Sequence, residues 1–219
     1  MVFDEALTRT NNRQNRIENR DFVALDPEQT RVETELAIDG IDYQLMRSES
    51  VTRSETSFDL VESTTALACA SQTVRLAVQL KREIGKLWDD IEKAPYKELF
   101  NASVPGLHVW RAVHTQRQID RALETSRKRG GNYQTHPIAT HGIRVIATLV
   151  FSDLPVTRFK DPTFDLEKVA DEAHVTAMVD KSLAALSAEV QKLFPNAIIP
   201  TLFKNQKKCE ILYERVRKA

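Results

Sequence analysis

Side-chain amides and guanidinium groups are concentrated near the amino end, between residues 9 and 20. Amide groups can pair with the edges of nucleic-acid bases, and the planar guanidinium fork can hold phosphates. The segment therefore predicts a nucleic-acid contact made by Arg13, Gln14, Asn15 and Arg20. An alternative interpretation is that the asparagines form a turn while the arginines pair with nearby acidic residues. The segment comprises Arg9, Asn11, Asn12, Arg13, Gln14, Asn15, Arg16 and Arg20.

A second basic set follows a helical period between residues 107 and 129. A period of 3.6 residues places Arg111, Arg117 and Arg121 on one side of the helix, together with His114 and Lys128. Such a stripe can follow a phosphate backbone, so these three arginines are predicted to bind nucleic acid. The alternative is a solvated outer face. The basic residues of the last helix, Lys204 among them, are interpreted as solubilising or as a second patch.

One loose pattern suits a metal-dependent nuclease. Such enzymes use a carboxylate, a later carboxylate or glutamine, and a lysine two positions beyond it, and Asp59, Gln79 and Lys81 have that spacing. The arrangement requires a strand at residues 79–81, where the sequence favours a helix. Chance is the alternative explanation in a chain with 28% charged residues. An autonomous nuclease is therefore the third of three hypotheses, and no catalytic residue is assigned.

Metal and cofactor motifs are not predicted. The four histidines considered are interpreted as structural or surface residues, because they lack companions at ligand spacing; they are His108, His114, His136 and His141. Cys69 and Cys209 are 140 positions apart and are interpreted as buried free thiols. The six glycines form no phosphate-binding loop. We expect neither a bound metal nor a cofactor.

Most of the chain is predicted to be helical. A helix is predicted to begin at Asp26 and Pro27, with Gln29 completing a capping box, and to end at Gly40. Its apolar stripe is formed by Val32, Leu36 and Ala37. A short strand follows at residues 41–47, and residues 48–57 form a loop. Further helices are predicted over 58–70, 73–88, 96–100, 107–129, 137–151, 165–193 and 203–216.

The resulting fold class is mainly α, a multi-helix globular domain with at most a short strand near residues 41–47. The 219 residues are 42% hydrophobic, enough for one sizeable core or two small ones. We predict three parts: residues 1–47, a helical domain at 48–155, and a C-terminal helical region at 156–219 that packs on it.

Basic and acidic residues number 31 each, so nucleic-acid binding requires a local patch. Without a membrane span or a secretory signal in the sequence, we expect a cytoplasmic location and no membrane partner.

Several segments together resemble the AIPR family, the abortive-infection phage-resistance proteins of bacteria. The resemblance begins in the polar segment. It continues through the Asp-Phe-x-Ala-Leu-Asp stretch at residues 21–26 and extends to Gln29. It continues at Lys81 to Trp88, at Pro95 to Asn101 and at Leu202 to Asn205. These motifs are distinctive in combination, although none is a mechanistic signature.

The resemblance implies a part in phage defence. Family members typically carry an upstream nuclease-like region with acidic and Gln-x-Lys motifs, so this chain is expected to be a C-terminal portion. The first hypothesis is a nucleic-acid-facing or regulatory module that depends on this region, with DNA or RNA as its partner. The second hypothesis is a protein interaction module whose polar segment packs against that region. The oligomeric state is left open.

Overall fold

The structure is a computed structural model that describes residues 19–45, 54–128 and 135–218. Its first helices and strands are α1 (Asn19–Val23), α2 (Pro27–Ile38), β1 (Asp42–Gln44), β2 (Ser57–Asp59), α3 (Leu60–Ala70), α4 (Val74–Arg82), α5 (Tyr96–Leu99) and α6 (Gly106–Lys128). The second half contains α7 (Thr135–His141), α8 (Ile143–Ser152), α9 (Glu167–Ala170), α10 (Glu172–Leu193), α11 (Ile199–Leu202) and α12 (Gln206–Arg217). The fold is mainly α, which confirms the predicted class.

Helix α2 begins and ends where its local sequence predicts. The Asp26 side chain accepts a hydrogen bond from the backbone N–H of Glu28 at 3.3 Å, and Pro27 occupies the first turn. Gly40 follows the helix with a φ of 71°, a left-handed conformation that favours glycine. Val32 and Leu36 are buried as predicted, whereas Ala37 is exposed. The apolar stripe of α2 is therefore narrower than predicted.

Two short strands form a parallel pair. The predicted strand is present as β1, and it pairs with β2 in the register Tyr43 opposite Phe58. The sequence indicated a loop followed directly by a helix at residues 57–59, so β2 was missed. Three residues are too few to show an alternation of apolar and polar side chains, and β2 is recognised only by its pairing with β1. The rings of Tyr43 and Phe58 stack with their centroids 4.8 Å apart.

Helix α4 is shorter than the predicted helix over residues 73–88. It ends at Arg82, Glu83 is extended with a φ of −167°, and a 3₁₀ turn spans Ile84–Leu87. The reason is tertiary, because buried Trp88 donates a hydrogen bond from Nε1 to Thr64 Oγ1 of α3 at 3.0 Å. A continuous helix would carry this indole along the axis of α4 instead.

A buried hydrogen-bond network joins α2, α5, β1 and α3. Gln29 Nε2 donates to Tyr96 Oη at 2.8 Å, and Tyr43 Oη donates to Gln29 Oε1 at 2.6 Å. Tyr96 Oη in turn donates to the carboxylate of Asp26, and the Tyr43 hydroxyl lies 3.0 Å from Ser63 Oγ. Gln29 therefore joins a tertiary network, and the predicted capping-box role for it is wrong. The network stabilises the fold only while every buried member has its partner.

The central helices share one apolar core. Helix α6 packs against α3 and α10, and α8 packs against α3, α4 and α10. The helix predicted over residues 137–151 is two helices, because the chain bends at Gly142 between α7 and α8. The division of the chain into three parts stays a prediction. Within the described residues, no helix is both long enough and apolar enough to cross a membrane.

His108 is a partly buried histidine near the start of α6. Its ring packs at a tilt against Phe159, with the ring centroids 5.9 Å apart. Burial, reinforced by the charge of Lys160, lowers the pKa of His108 to about 4 from its ordinary value of 6.5. The neutral imidazole is therefore the form that the folded protein favours.

Replacing Tyr96 by Phe should destabilise the protein. The change leaves Asp26 and Gln29 without their shared buried hydroxyl partner, and we expect a loss of about 1–3 kcal/mol in the free energy of unfolding. Urea denaturation followed by circular dichroism measures this loss. Tyr213→Phe is the matched control, because Tyr213 packs on the core rim without a hydroxyl hydrogen bond among the described residues. Equal stability of the two variants would contradict a stabilising role for the network.

His108 should make the stability depend on pH in a defined window. Its folded pKa is depressed, so the unfolded chain binds the proton more tightly, and stability is lost as pH falls from about 6.5 to about 4. His108→Phe should remove this component, whereas His174→Phe at an exposed helical position should retain it. Urea midpoints measured between pH 7 and pH 4 provide the test. Parallel curves for His108→Phe and the unmodified protein would refute the assignment.

Candidate anion-binding site

The polar segment that the sequence singled out is only partly described. Arg13, Gln14 and Asn15 lie outside the described residues. Arg20 lies in α1, and its Nη2 is 3.5 Å from Asp59 Oδ2 in a mostly buried ion pair. The Arg20 guanidinium thus contributes to holding α1 against the start of α3.

Arg111 is engaged by the backbone of a loop. Its Nη1 donates to the carbonyl oxygens of Phe159 and Asp161, at 3.0 and 2.7 Å, and its Nη2 donates to that of Phe164 at 2.7 Å. The guanidinium plane also lies over the Phe164 ring. Three carbonyls that face one guanidinium satisfy most of its donors, so Arg111 clamps this loop onto α6.

Arg117 and Arg121 are turned toward the segment that precedes α3. Arg117 donates to both carboxylate oxygens of Glu62, at 3.1 and 3.2 Å, and to the carbonyl oxygen of Ser57 at 2.5 Å. Arg121 Nη2 contacts both carboxylate oxygens of Glu55 at 3.1 Å. The helical stripe was interpreted as a basic face available for phosphates or for solvent. The nucleic-acid contact of these arginines stays a prediction, and in the structure Arg111 and Arg117 hold the protein's own loops.

The residues of the nuclease pattern do not form a site. Asp59 caps α3 by accepting the N–H of Glu62 at 2.9 Å, while Gln79 and Lys81 both lie in α4. Gln79 donates to the carbonyl oxygen of Glu83 at 2.8 Å, which helps to end that helix. Within the described ranges, no group of three or more potential metal ligands comes together.

A different set of basic side chains does converge, and we call it the cationic cluster: Lys81, Arg82, His141 and Lys204. Lys81 Nζ lies 3.4 Å from His141 Nδ1, and Arg82 Nε donates to the backbone carbonyl oxygen of Lys204 at 2.7 Å. An ammonium group can only donate, so Nδ1 of neutral His141 accepts and its Nε2 carries the proton. Arg82 and Lys204 are exposed, whereas Lys81 and His141 are half-buried.

The positive charges of the cationic cluster repel one another. Burial, followed by the nearby charges of Lys204 and Arg144, lowers the pKa of the Lys81 ammonium. Burial and then the charge of Lys81 lower the pKa of His141. Within the described part of the chain, neither Lys81 nor Lys204 forms an ion pair with a carboxylate. An anion placed here would relieve this repulsion.

Two acidic residues near the cationic cluster act on other basic residues. Glu83, which follows Arg82, acts electrostatically on Lys86, a lysine that is paired with Asp89 at 2.9 Å. Asp120 lies 3.6 Å from the Arg144 guanidinium and thereby offsets part of that charge behind the cluster. Neither Glu83 nor Asp120 therefore forms an ion pair with a member of the cationic cluster among the described residues.

A close approach between Gly142 and Phe203 positions the cluster. A Cβ atom at residue 142 would lie 2.8 Å from Phe203 Cζ and 2.8 Å from the carbonyl oxygen of Ile138, closer than such atoms pack. The absence of a side chain at Gly142 lets the buried Phe203 ring reach the junction of α7 and α8. Phe203 thereby brings the next residue, Lys204, beside α4, and His141 faces the same place from the residue before Gly142.

Sequence reasoning missed this site for an identifiable reason. As a functional residue, Lys81 was considered only for the nuclease pattern. His141 was interpreted as a structural or surface residue, and Lys204 as part of a solubilising helix or of a second basic patch. One signal was available, since Lys81 and Lys204 each lie in a segment that carries the family resemblance. The spacing of 122 residues between Arg82 and Lys204 gives no pattern that a local reading can detect.

The comparisons with known proteins agree with the resemblance. The fold and the cluster define a mainly α protein with a concentrated positive site. The family model described as AIPR protein matches residues 2–198, and the chain therefore belongs to the AIPR family. Membership suggests a role in abortive infection and phage resistance. No curated protein and no solved structure matches the chain.

Gly142→Ala should damage both stability and the cluster. The added Cβ forces Phe203 to move, and overpacking of this kind costs about 1–3 kcal/mol in the free energy of unfolding. Gly85→Ala is the matched control, because a Cβ at that position meets nothing within 4 Å, and we expect a change within about 0.5 kcal/mol. Thermal denaturation measures both variants. A Gly142→Ala protein as stable as Gly85→Ala would show that the contact does not constrain the fold.

Proposed function

We propose that this AIPR protein acts in phage defence as a nucleic-acid-facing module whose cationic cluster holds phosphate groups. One observation carries the proposal, namely that Lys81 and Lys204 lie together without a carboxylate partner in the described part of the chain. Most other basic groups near the predicted sites already have protein partners. Arg111 and Arg117, for example, bind backbone carbonyls.

The charge balance of the chain makes such a local site necessary. Basic and acidic residues are equal in number, so the whole molecule exerts no general attraction on a polyanion. Binding must then arise where charges are locally uncompensated. Phosphate contacts made by lysine release counterions from the nucleic acid, so the affinity should fall steeply as salt rises.

The double variant Lys81→Ala/Lys204→Ala should weaken binding to DNA or RNA. Each lost phosphate contact should reduce the slope of log affinity against log salt by about 1, and fluorescence anisotropy over a salt series measures it. The matched control is Lys168→Ala/Lys192→Ala, which removes the same charge at sites that pair with Asp165 and Glu189. The control should bind as the unmodified protein does.

Two results would count against the proposal. The first is an unmodified protein that binds neither DNA nor RNA at low salt. The second is an equal loss of affinity in both double variants, since net charge alone would then explain binding. Thermal denaturation of each variant establishes that a loss of binding is not a loss of folding.

A specific observation favours a second function, contact with another protein or domain. Phe22 is 53% exposed and Leu25 is 73% exposed, and both belong to the stretch that carries the family resemblance. Exposed apolar side chains grouped at one end of a protein are typical of protein contacts. Absence of nucleic-acid binding would leave this second function as the better supported one.

A further inference from the structure

The positive charge of the cationic cluster is concentrated at one point. Lys81 lies in contact with His141, and Lys204 and Arg144 are near enough to lower the Lys81 pKa. A site that follows a strand of nucleic acid would instead distribute its cations along a groove, one for each successive phosphate. The arginines that the sequence placed in such a row, Arg111 and Arg117, are engaged with loops of the protein.

A compact set of cations suits a compact ligand with more than one negative charge. An internal phosphodiester has a single negative charge, whereas a phosphate monoester has about −1.5 to −2 at pH 7. The monoester also presents three acceptor oxygens rather than two. It can therefore accept hydrogen bonds from several donors at the same phosphorus atom.

We propose that the cationic cluster binds a terminal phosphate monoester of a nucleic-acid strand in preference to an internal phosphodiester. The inference rests on the proposed function, because it identifies which phosphate of the strand the same site takes. It concerns the ends of strands, such as those that nucleases leave, rather than continuous duplex.

The cluster offers donors of two kinds for the monoester oxygens. The ammonium groups of Lys81 and Lys204 supply charge and hydrogen bonds, and Nε2–H of neutral His141 supplies a further donor. Arg82 acts as a positioning residue, because its Nε holds the backbone carbonyl oxygen of Lys204 at 2.7 Å. Arg144 lies behind the site, with its charge partly offset by Asp120 at 3.6 Å.

Most of the charged groups around His141 are positive. Lys81 lies in α4, Lys204 lies in the turn before α12, and Arg144 lies in the first turn of α8. Asp120 is the acid that reaches this region from α6, and it is paired with Arg144. Lysine and arginine side chains from α4, α8 and the turn before α12 therefore outnumber the one acid named here, Asp120.

The inference is tested by measuring the binding of three single-stranded oligonucleotides of the same sequence. One has a 5′-phosphate, one has a 3′-phosphate, and one has hydroxyls at both ends. We expect at least one phosphorylated form to bind about tenfold more tightly than the hydroxyl form, the ratio that one charge-assisted hydrogen bond provides. Lys81→Ala/Lys204→Ala should abolish this ratio. The control Lys168→Ala/Lys192→Ala should retain it.

The outcomes separate this inference from the proposed function. Equal, salt-dependent binding of all three oligonucleotides would overturn terminal recognition and leave the proposed function standing. Absence of binding by any of them would overturn both. A phosphate preference that persists in Lys81→Ala/Lys204→Ala would place the recognition outside the cationic cluster and overturn the assignment. Arg82→Ala should reduce the ratio, and Arg82→Lys should restore part of it, because an ammonium group can also donate to the carbonyl oxygen of Lys204.

Discussion

The need to satisfy buried polar groups determines which charges of this protein remain available to a ligand. Loops that close against helices present carbonyl oxygens, and a carbonyl buried without a partner costs free energy. Arg111 donates hydrogen bonds to carbonyl oxygens of the loop before α9, and Arg117 donates to a carbonyl oxygen of the segment before α3. Their donors are therefore used within the fold. Among the described residues, Lys81 and Lys204 of the cationic cluster form no ion pair with a carboxylate, and neither side chain is shown holding a backbone carbonyl.

The same requirement explains why residues of the family motifs lie in the interior. Asp26, Gln29 and Tyr96 belong to two stretches that carry the resemblance, and they are joined in one buried network. The network connects α2 with α5 across 67 residues of sequence. A distinctive motif therefore need not mark a ligand site. Here two of the motifs stabilise the fold, while Lys81 and Lys204, from two others, lie in the cluster.

Local physics made part of this structure predictable. The start of α2 at Asp26 and Pro27 and its end at Gly40 depend only on neighbouring residues, and both were predicted. The end of α4 depends on Trp88 reaching Thr64, a contact that no local pattern contains. The cationic cluster depends on tertiary packing in the same way, because α4 contacts His141 through Lys81 and Lys204 through Arg82, residues far apart in the sequence. The helical period of Arg111 and Arg117 was visible, but their partners were not.

The dependence of the cluster on packing has a consequence for its function. Like charges held together destabilise the folded state, and burial, together with the charges of Lys204 and Arg144, lowers the pKa of Lys81. The contact of Phe203 with Gly142 opposes this repulsion by fixing Lys204 beside α4. Binding a dianion would remove the repulsion and add to the stability of the same junction by mass action. On the proposed function, ligand binding and the packing of the last two helices would be coupled through Gly142.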